Sequence, residues 1–390
     1  MNVVEWLKND FLMFDGAMGT MLQNRGLKAG GLPELLNIDA PGTVTRIHSE
    51  YVQAGADVIT ANTFGAHELK LGMNGKYSVE AVISAGIKCA RDSGARFTAL
   101  DAGPLGQLIE PLGALSFEGA YEVYRRMMTA GEQSGADLII IETISDLYEA
   151  KAAILAAREN TKLPVFCTMT FEESGRTFLG CDPLTAAVTL GDLGVQALGV
   201  NCSVGPEKLG CVAETMLKYS PVPVIAQANA GLPELRGGAA YYGMPPEVYA
   251  GYAVEMAGKG VRILGGCCGT TPEHIRKVKQ GIKGMKPVDA RPLAVNACTS
   301  GRRTVILDGT QRVGILKPGD IDDLIDHAME LEEDGADVLI LPEIGDSDLL
   351  VKAIRAIQQI ASAPLQIQSG SPEALKAGLR AYNGKPVRQF

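Results

Sequence analysis

Gly135-Ala136-Asp137-Leu138-Ile139-Ile140-Ile141-Glu142-Thr143 is the stretch that decides the fold. Its glycine suits the left-handed residue that ends a helix, and the apolar run from Leu138 is short and unbroken before it stops on a carboxylate. A strand with one wet face would alternate. Four apolar residues in a row belong to a strand buried on both faces, as in a parallel sheet covered by helices. The same Gly-Ala-Asp exit recurs at Gly55-Ala56-Asp57 and Gly335-Ala336-Asp337. Working outward, strand-length apolar runs lie at residues 11–15, 57–62, 97–101, 137–142, 164–169, 197–201, 222–227 and 261–266, with helical periodicity between them. Eight β/α units of this length predict a (β/α)8 TIM barrel over residues 1–288. A doubly wound nucleotide-binding sheet fits less well, because Asp15-Gly16-Ala17-Met18-Gly19-Thr20 has two glycines three apart and lacks the third.

Residues 289–303, with Pro292, Ser300 and Gly301, read as a linker. A second series over 304–390 then predicts a small partial βαβαβα segment, with strands at 304–308, 337–341 and 364–368 and helices near 320–333, 348–362 and 372–381. Three parallel strands leave open edges, so this piece should dock on something or pair with a copy of itself as a homodimer.

Composition narrows the partners. Across 390 residues the net charge is −9 and the pI about 5.2, with no basic cluster, which argues against nucleic acid and anionic membrane surfaces. No apolar run approaches the ~20 residues of a membrane span, and the first ten residues lack signal-peptide order, so a cytoplasmic protein is expected. Eight cysteines are too sparse for a disulfide scaffold and read instead as apolar fillers, metal ligands or nucleophiles.

In a TIM barrel the chemistry sits just beyond the carboxyl ends of the strands. Cys202 follows the sixth strand, and Cys267 and Cys268 follow the eighth, so the three thiols converge on one mouth. Three sulfurs leave a tetrahedral zinc one open position, the pattern of a catalytic metal site. Glycines 265, 266 and 269 allow the tight turn that two neighbouring ligands need, and Thr271-Pro272 reads as a helix start whose dipole helps to keep the thiols ionised. Cys89, Cys167, Cys181, Cys211 and Cys298 fall elsewhere and read as fillers. Glu142, Asp15, Asp101 and Asn229 stand at other strand ends as candidate ligand contacts. None of the four histidines, His48, His67, His274 and His327, shows metal-binding spacing. A Schiff-base lysine that would mark an aldolase or lyase is missing from every strand end.

Taken together, Asp15-Gly16-Ala17-Met18-Gly19-Thr20, Asn62-Thr63-Phe64, Glu142-Thr143, Gly199-Val200-Asn201-Cys202-Ser203 and Gly265-Gly266-Cys267-Cys268-Gly269-Thr270-Thr271-Pro272 resemble the homocysteine S-methyltransferase family, and within it the homocysteine-binding module of cobalamin-dependent methionine synthases. The resemblance implies that Cys202, Cys267 and Cys268 hold zinc and that homocysteine sulfur takes the fourth place. It further implies that Glu142 and Asp15 receive the substrate amino group, with Gly16, Ala17 and Met18 near its carboxylate and Asn229 among the substrate-binding residues. The expected reaction is methyl transfer to homocysteine to give methionine, with methylcobalamin on a separate corrinoid protein as donor. Two alternatives stay open: a non-catalytic homocysteine- and zinc-binding acceptor subunit, or a methyltransferase using betaine, S-methylmethionine or methyltetrahydrofolate. The segment from Thr304 is similar to the start of a pterin-binding barrel. It departs in its first loop, Asp308-Gly309-Thr310-Gln311-Arg312, and at Leu341-Pro342-Glu343, where the family's pterin-binding Asp and Asn are replaced, and the chain contains no Asp-x-His-x-x-Gly cobalamin signature.

Overall fold

The computed structural model describes residues 2–28, 30–72, 75–202, 204–236, 239–289 and 292–387. Eight parallel strands form its centre: β1 (Leu12–Met13), β2 (Val58–Thr60), β3 (Phe97–Ala102), β4 (Leu138–Ile144), β5 (Val165–Met169), β6 (Ala197–Asn201), β7 (Val224–Ala228) and β8 (Ile263–Gly266). They are ordered β1-β8-β7-β6-β5-β4-β3-β2, and a Phe14 to Val58 bridge joins the two ends of the sheet. Around this seam Asp57 N donates to Met13 O at 2.7 Å and Asp15 N to Val58 O at 3.2 Å. The expected (β/α)8 barrel is present, with helices outside it.

The strands sort their side chains by a period of two. Phe97 and Ala99 of β3, Leu138 and Ile140 of β4, and Phe14, Phe166, Ala197, Ile225 and Ile263 form one buried cluster inside the barrel. The alternate residues, among them Leu100, Ala102, Ile139 and Ile141, belong to the larger core between strands and helices. One step further along four of the inward rows the side chains turn polar: Asp101 after Ala99, Glu142 after Ile140, Thr168 after Phe166 and Gln227 after Ile225. An apolar plug below and a polar layer above thus define a floor for the mouth.

The Gly-Ala-Asp signature has a clear physical meaning. Gly55, Gly135 and Gly335 have φ of 105°, 87° and 87°, a conformation that favours glycine. The aspartate that follows each one caps a backbone N–H at the start of the preceding strand: Asp57 takes Met13 N at 3.1 Å, Asp137 takes Thr98 N at 2.8 Å and Asp337 takes Arg312 N at 3.0 Å.

The carboxyl-terminal segment differs from expectation at its first strand. Thr304–Ile306 pairs antiparallel with Ala297–Thr299, which lies in the stretch read as linker, and the three-stranded parallel sheet begins instead at Val313–Ile315, followed by Val338–Ile340 and Leu365–Gln366. A glycine, Gly314, at the centre of a three-residue strand obscured it; Leu331 and Leu339 lie 3.0 Å from where its side chain would begin, so the position is closely packed. Helices Ile321–Glu333, Ser347–Ile360 and Pro372–Ala381 cover one face of the sheet, while on the edge strand Ile315 is 67% exposed. Residues 290–291 and 388–390 of the expected linker and segment lie outside the described residues.

This segment docks on the barrel. Arg380 reaches both carboxylate oxygens of Glu118 at 2.7 and 3.0 Å, contacts Glu159 at 3.1 Å and stacks 4.5 Å from the Tyr121 ring centre. Buried Lys151 donates to Leu379 O and Tyr382 O, and Tyr148 OH to Ala381 O, so the end of the last helix is capped by barrel side chains. Among the described residues no helix is long and apolar enough to cross a membrane.

Candidate active site

A cavity of about 380 Å3 opens at the carboxyl ends of the strands, lined by Cys202, Cys267 and Cys268 together with Asp15, Gly16, Ala17, Met18, Asp101 and Glu142. The sulfur atoms of the three cysteines all lie within 4.8 Å of one another, and among the described residues no histidine or carboxylate joins them as a metal-holding group. Neighbouring strands set this convergence: Cys202 N donates to Gln227 O at 3.0 Å, Cys267 N to Ala228 O at 2.8 Å and Ala230 N to Cys268 O at 2.9 Å. Cys202 has φ of 61° and Thr143 of 62°, conformations that cost a side-chain-bearing residue of order 1 kcal/mol or more and collect at functional sites. Thr271 caps the helix Pro272–Gly281, as expected. Ser203 of the quoted motif lies outside the described residues.

The thiols influence one another first. Hydrogen bonds from Cys202 and Cys267 pull Cys268 down to about 3 against the opposing effect of burial, and Tyr242 adds a further hydrogen bond; Cys267, bonded to the other two, is held well above the usual thiol range. A negative charge is therefore favoured on Cys268. Such a cluster of soft sulfur donors suits zinc. Asn229 is buried, flanked by Ala228 and Ala230 that bond the Cys267-Cys268 turn, and its Oδ1 has no partner among the described residues. It stands behind the turn rather than on the cavity lining.

The same cavity carries carboxyl groups held in different ways. Asp15 accepts from Thr60 Oγ1 at 2.7 Å and Thr60 N at 3.0 Å; burial still pushes it up to about 7. Glu142 accepts from Asn201 Nδ2 at 3.2 Å and is pushed up to about 8, by burial first and then by the charges of Cys202 and Asp15. Asn201 is a junction: its Oδ1 accepts Thr143 N and Thr168 Oγ1, both at 2.9 Å, and its Nδ2 also reaches Thr143 Oγ1 at 2.9 Å.

The Gly16-Ala17-Met18 turn is tied to the cysteine turn. Thr270 Oγ1 accepts Ala17 N at 3.2 Å and donates to Cys267 O at 2.7 Å, while Tyr51 OH donates to Ala17 O at 3.0 Å and Thr270 O at 3.1 Å. Gly16 must be small here, because a β-carbon would come 2.5 Å from Thr270 Oγ1. Tyr51 and Tyr242 had no sequence signal of their own, and Thr270 stood in the quoted cysteine motif with no role assigned to it. For Thr60 the inward period of β2 was the one clue available.

Fold and site together define a β/α barrel whose mouth gathers three thiols and the carboxyl groups of Asp15, Asp101 and Glu142 in one cavity. The chain belongs to the homocysteine S-methyltransferase family, whose model matches residues 12–282. It is 29% identical to a methionine synthase of Mycobacterium leprae (strain TN) and 30% identical to one of Mycobacterium tuberculosis (strain ATCC 25618 / H37Rv), over 99% and 98% of its own length. It spans 36% of each of those relatives. The metallated form of the homocysteine methyltransferase MmuM from Escherichia coli shares the fold, with a TM-score of 0.61 at 22% identity over 71% of this chain and 98% of that one. Its oxidised form gives a TM-score of 0.60 at 22% identity, over 70% and 96%.

Proposed function

We propose that this chain is a zinc-dependent homocysteine S-methyltransferase, with Cys202, Cys267 and Cys268 as the metal ligands and methionine as the product. The observation that carries the reading is the placement of three mutually close thiols in one cavity with Asp15 and Glu142. Zinc bound by the thiols would supply Lewis acidity that lowers the pKa of the substrate thiol, whose free value near ~8.5 leaves little nucleophile at neutral pH, so that its proton is lost to solvent.

The chain's own residues supply position and charge. Asp15, fixed by Thr60, and Glu142, fixed by Asn201, receive the α-ammonium, which favours their ionised forms. The turn at Gly16, Ala17 and Met18, braced by Thr270 and Tyr51, takes the carboxylate. Asn229, off the cavity lining, supports the thiol turn through its neighbours Ala228 and Ala230. The new S–CH3 bond forms as the donor's bond to methyl breaks, with the electron pair leaving on the donor. No side chain needs to act as general acid for a donor of that kind, and the resemblance to cobalamin-dependent methionine synthases favours methylcobalamin on a corrinoid protein.

Elemental analysis of the single Cys→Ala variants tests the metal site: each should lose most of its zinc, and a variant with full zinc removes that residue from the site. Glu142→Gln should keep its zinc yet bind homocysteine about tenfold or more weakly by calorimetry, since an amide cannot match a carboxylate against an ammonium. Methionine formation with methylcobalamin, compared with methyltetrahydrofolate, betaine and S-methylmethionine, decides the donor.

A further inference from the structure

Asp101 occupies the inward row of β3, one step above Phe97 and Ala99, as Glu142 does above Leu138 and Ile140 on β4. It lines the same cavity and is 6% exposed. Its backbone is fully engaged, with Asp101 N donating to Thr63 Oγ1 at 3.0 Å and Thr63 Oγ1 to Asp101 O at 2.9 Å, so the position of the residue is fixed. Its carboxyl group is not: Oδ1 is buried without a hydrogen-bond partner among the described residues. In this it differs from Asp15, held by Thr60, and from Glu142, held by Asn201. The cation that lines this cavity, Lys70, is already engaged with Glu34 Oε1 at 3.0 Å. A buried carboxyl with no donor is costly, and the open direction from which one can come is the cavity. Burial, then the charges of Glu142 and Asp15, push its titration well above the carboxylate range, as expected of a group that lacks its counterpart.

We propose that Asp101 is the third carboxyl of a primary-ammonium subsite, making the pocket selective for thiols that carry a free amine. An α-ammonium group has three N–H donors, and Asp15, Asp101 and Glu142 offer one acceptor each from three different strand ends. A thiol without the amine leaves Asp101 with no donor and Asp15 and Glu142 with only Thr60 and Asn201, and an acylated amine supplies one donor with no charge. This inference rests on the reading of the cavity as the homocysteine site and adds to it what the site rejects.

The test is calorimetry on zinc-loaded protein with L-homocysteine and with 4-sulfanylbutanoate, which keeps the thiol and carboxylate but lacks the amine. Wild type should prefer homocysteine by about a hundredfold or more. In Asp101→Asn, homocysteine affinity should fall by about tenfold to a hundredfold while 4-sulfanylbutanoate affinity stays the same or rises, with zinc content unchanged. Asp101→Ala, which removes the carboxyl altogether, should show the same collapse of selectivity. Homocysteine affinity unchanged in both variants overturns the proposal, and so does an equal loss for both thiols, which would mark a structural role. If wild type binds neither thiol, the homocysteine reading itself falls, an outcome distinct from either result in the variants.

Discussion

Thr270→Val is the substitution that most directly probes how the two turns of the site are joined. Thr270 is fully buried, and its hydroxyl accepts the Ala17 N–H and donates to Cys267 O. Valine keeps the shape and deletes both bonds. Cys267 O keeps a second donor, Thr270 N at 3.1 Å, so its loss is an ordinary hydrogen bond of about 1 kcal/mol. The Ala17 N–H is left buried and unpaired at a cost of about 1–3 kcal/mol, which brings the total to roughly 2–4 kcal/mol. That is a large share of a stability of about 5–15 kcal/mol, and it falls on the turn proposed to take the substrate carboxylate. Urea unfolding should show the loss, homocysteine affinity should drop about tenfold, and zinc content should hold because the cysteine positions depend on other strands. Thr270→Ser, which restores the hydroxyl, should recover most of both quantities. Tyr51→Phe acts on the same turn through Ala17 O and Thr270 O, so the double variant should be less than additive. A Thr270→Val protein within about 0.5 kcal/mol of wild type, with normal homocysteine binding, would refute the idea that this hydroxyl joins the turns.

Two further outcomes are expected. Asp15 is raised from 3.8 to about 7 in the folded metal-free protein, so the folded state binds more protons than the unfolded one between those values, and wild-type stability should fall relative to Asp15→Asn by about 1.4 kcal/mol per pH unit as pH rises through that window; parallel pH profiles in urea unfolding would exclude it. Arg380→Ala removes a half-exposed bidentate pair with Glu118, for which about 1 kcal/mol is reasonable, and hydrogen exchange over residues 372–387 should quicken about fivefold, whereas unchanged exchange there would show that Lys151 and Tyr148 hold the segment alone.

The barrel was legible because its strands are buried on both faces, which leaves unbroken apolar runs such as Leu138 to Ile141, and because most of them run into a polar residue that the core would not tolerate, as at Asp15, Asp101, Glu142 and Asn201. The thiols were legible for the same reason: Cys202, Cys267 and Cys268 stand where a strand stops. The contacts that brace them were not. Thr60, Thr270 and Tyr51 are ordinary residues whose roles depend on partners as far as 45, 253 and 219 positions away in the chain. The hairpin formed by Pro233–Arg236 and Ala239–Tyr242 is another case; Tyr242 packs against Gly269 and Cys268 because of how the β7 loop folds back, and no local period announces that. Thr304–Ile306 carries strand-forming residues and is a strand, yet its partner is Ala297–Thr299, since propensity fixes conformation and leaves pairing to the rest of the fold.

The aspartates of the Gly-Ala-Asp exits have a consequence for assembly in time. Asp57 and Asp137 each clasp the strand made just before their own, so β2 can be registered against β1, and β4 against β3, as soon as each leaves the ribosome. Most of the sheet then grows by neighbour-to-neighbour addition, with short loops to close at each step. The exception is the junction of β1 with β8, Leu12 against Ile263, which must wait for nearly the whole barrel to be synthesised. Cys267 and Cys268 ride directly behind that last strand. A nascent chain therefore holds Cys202 alone until the ring shuts, and a complete three-thiol cradle is a late product of folding that can serve as a readout of barrel closure.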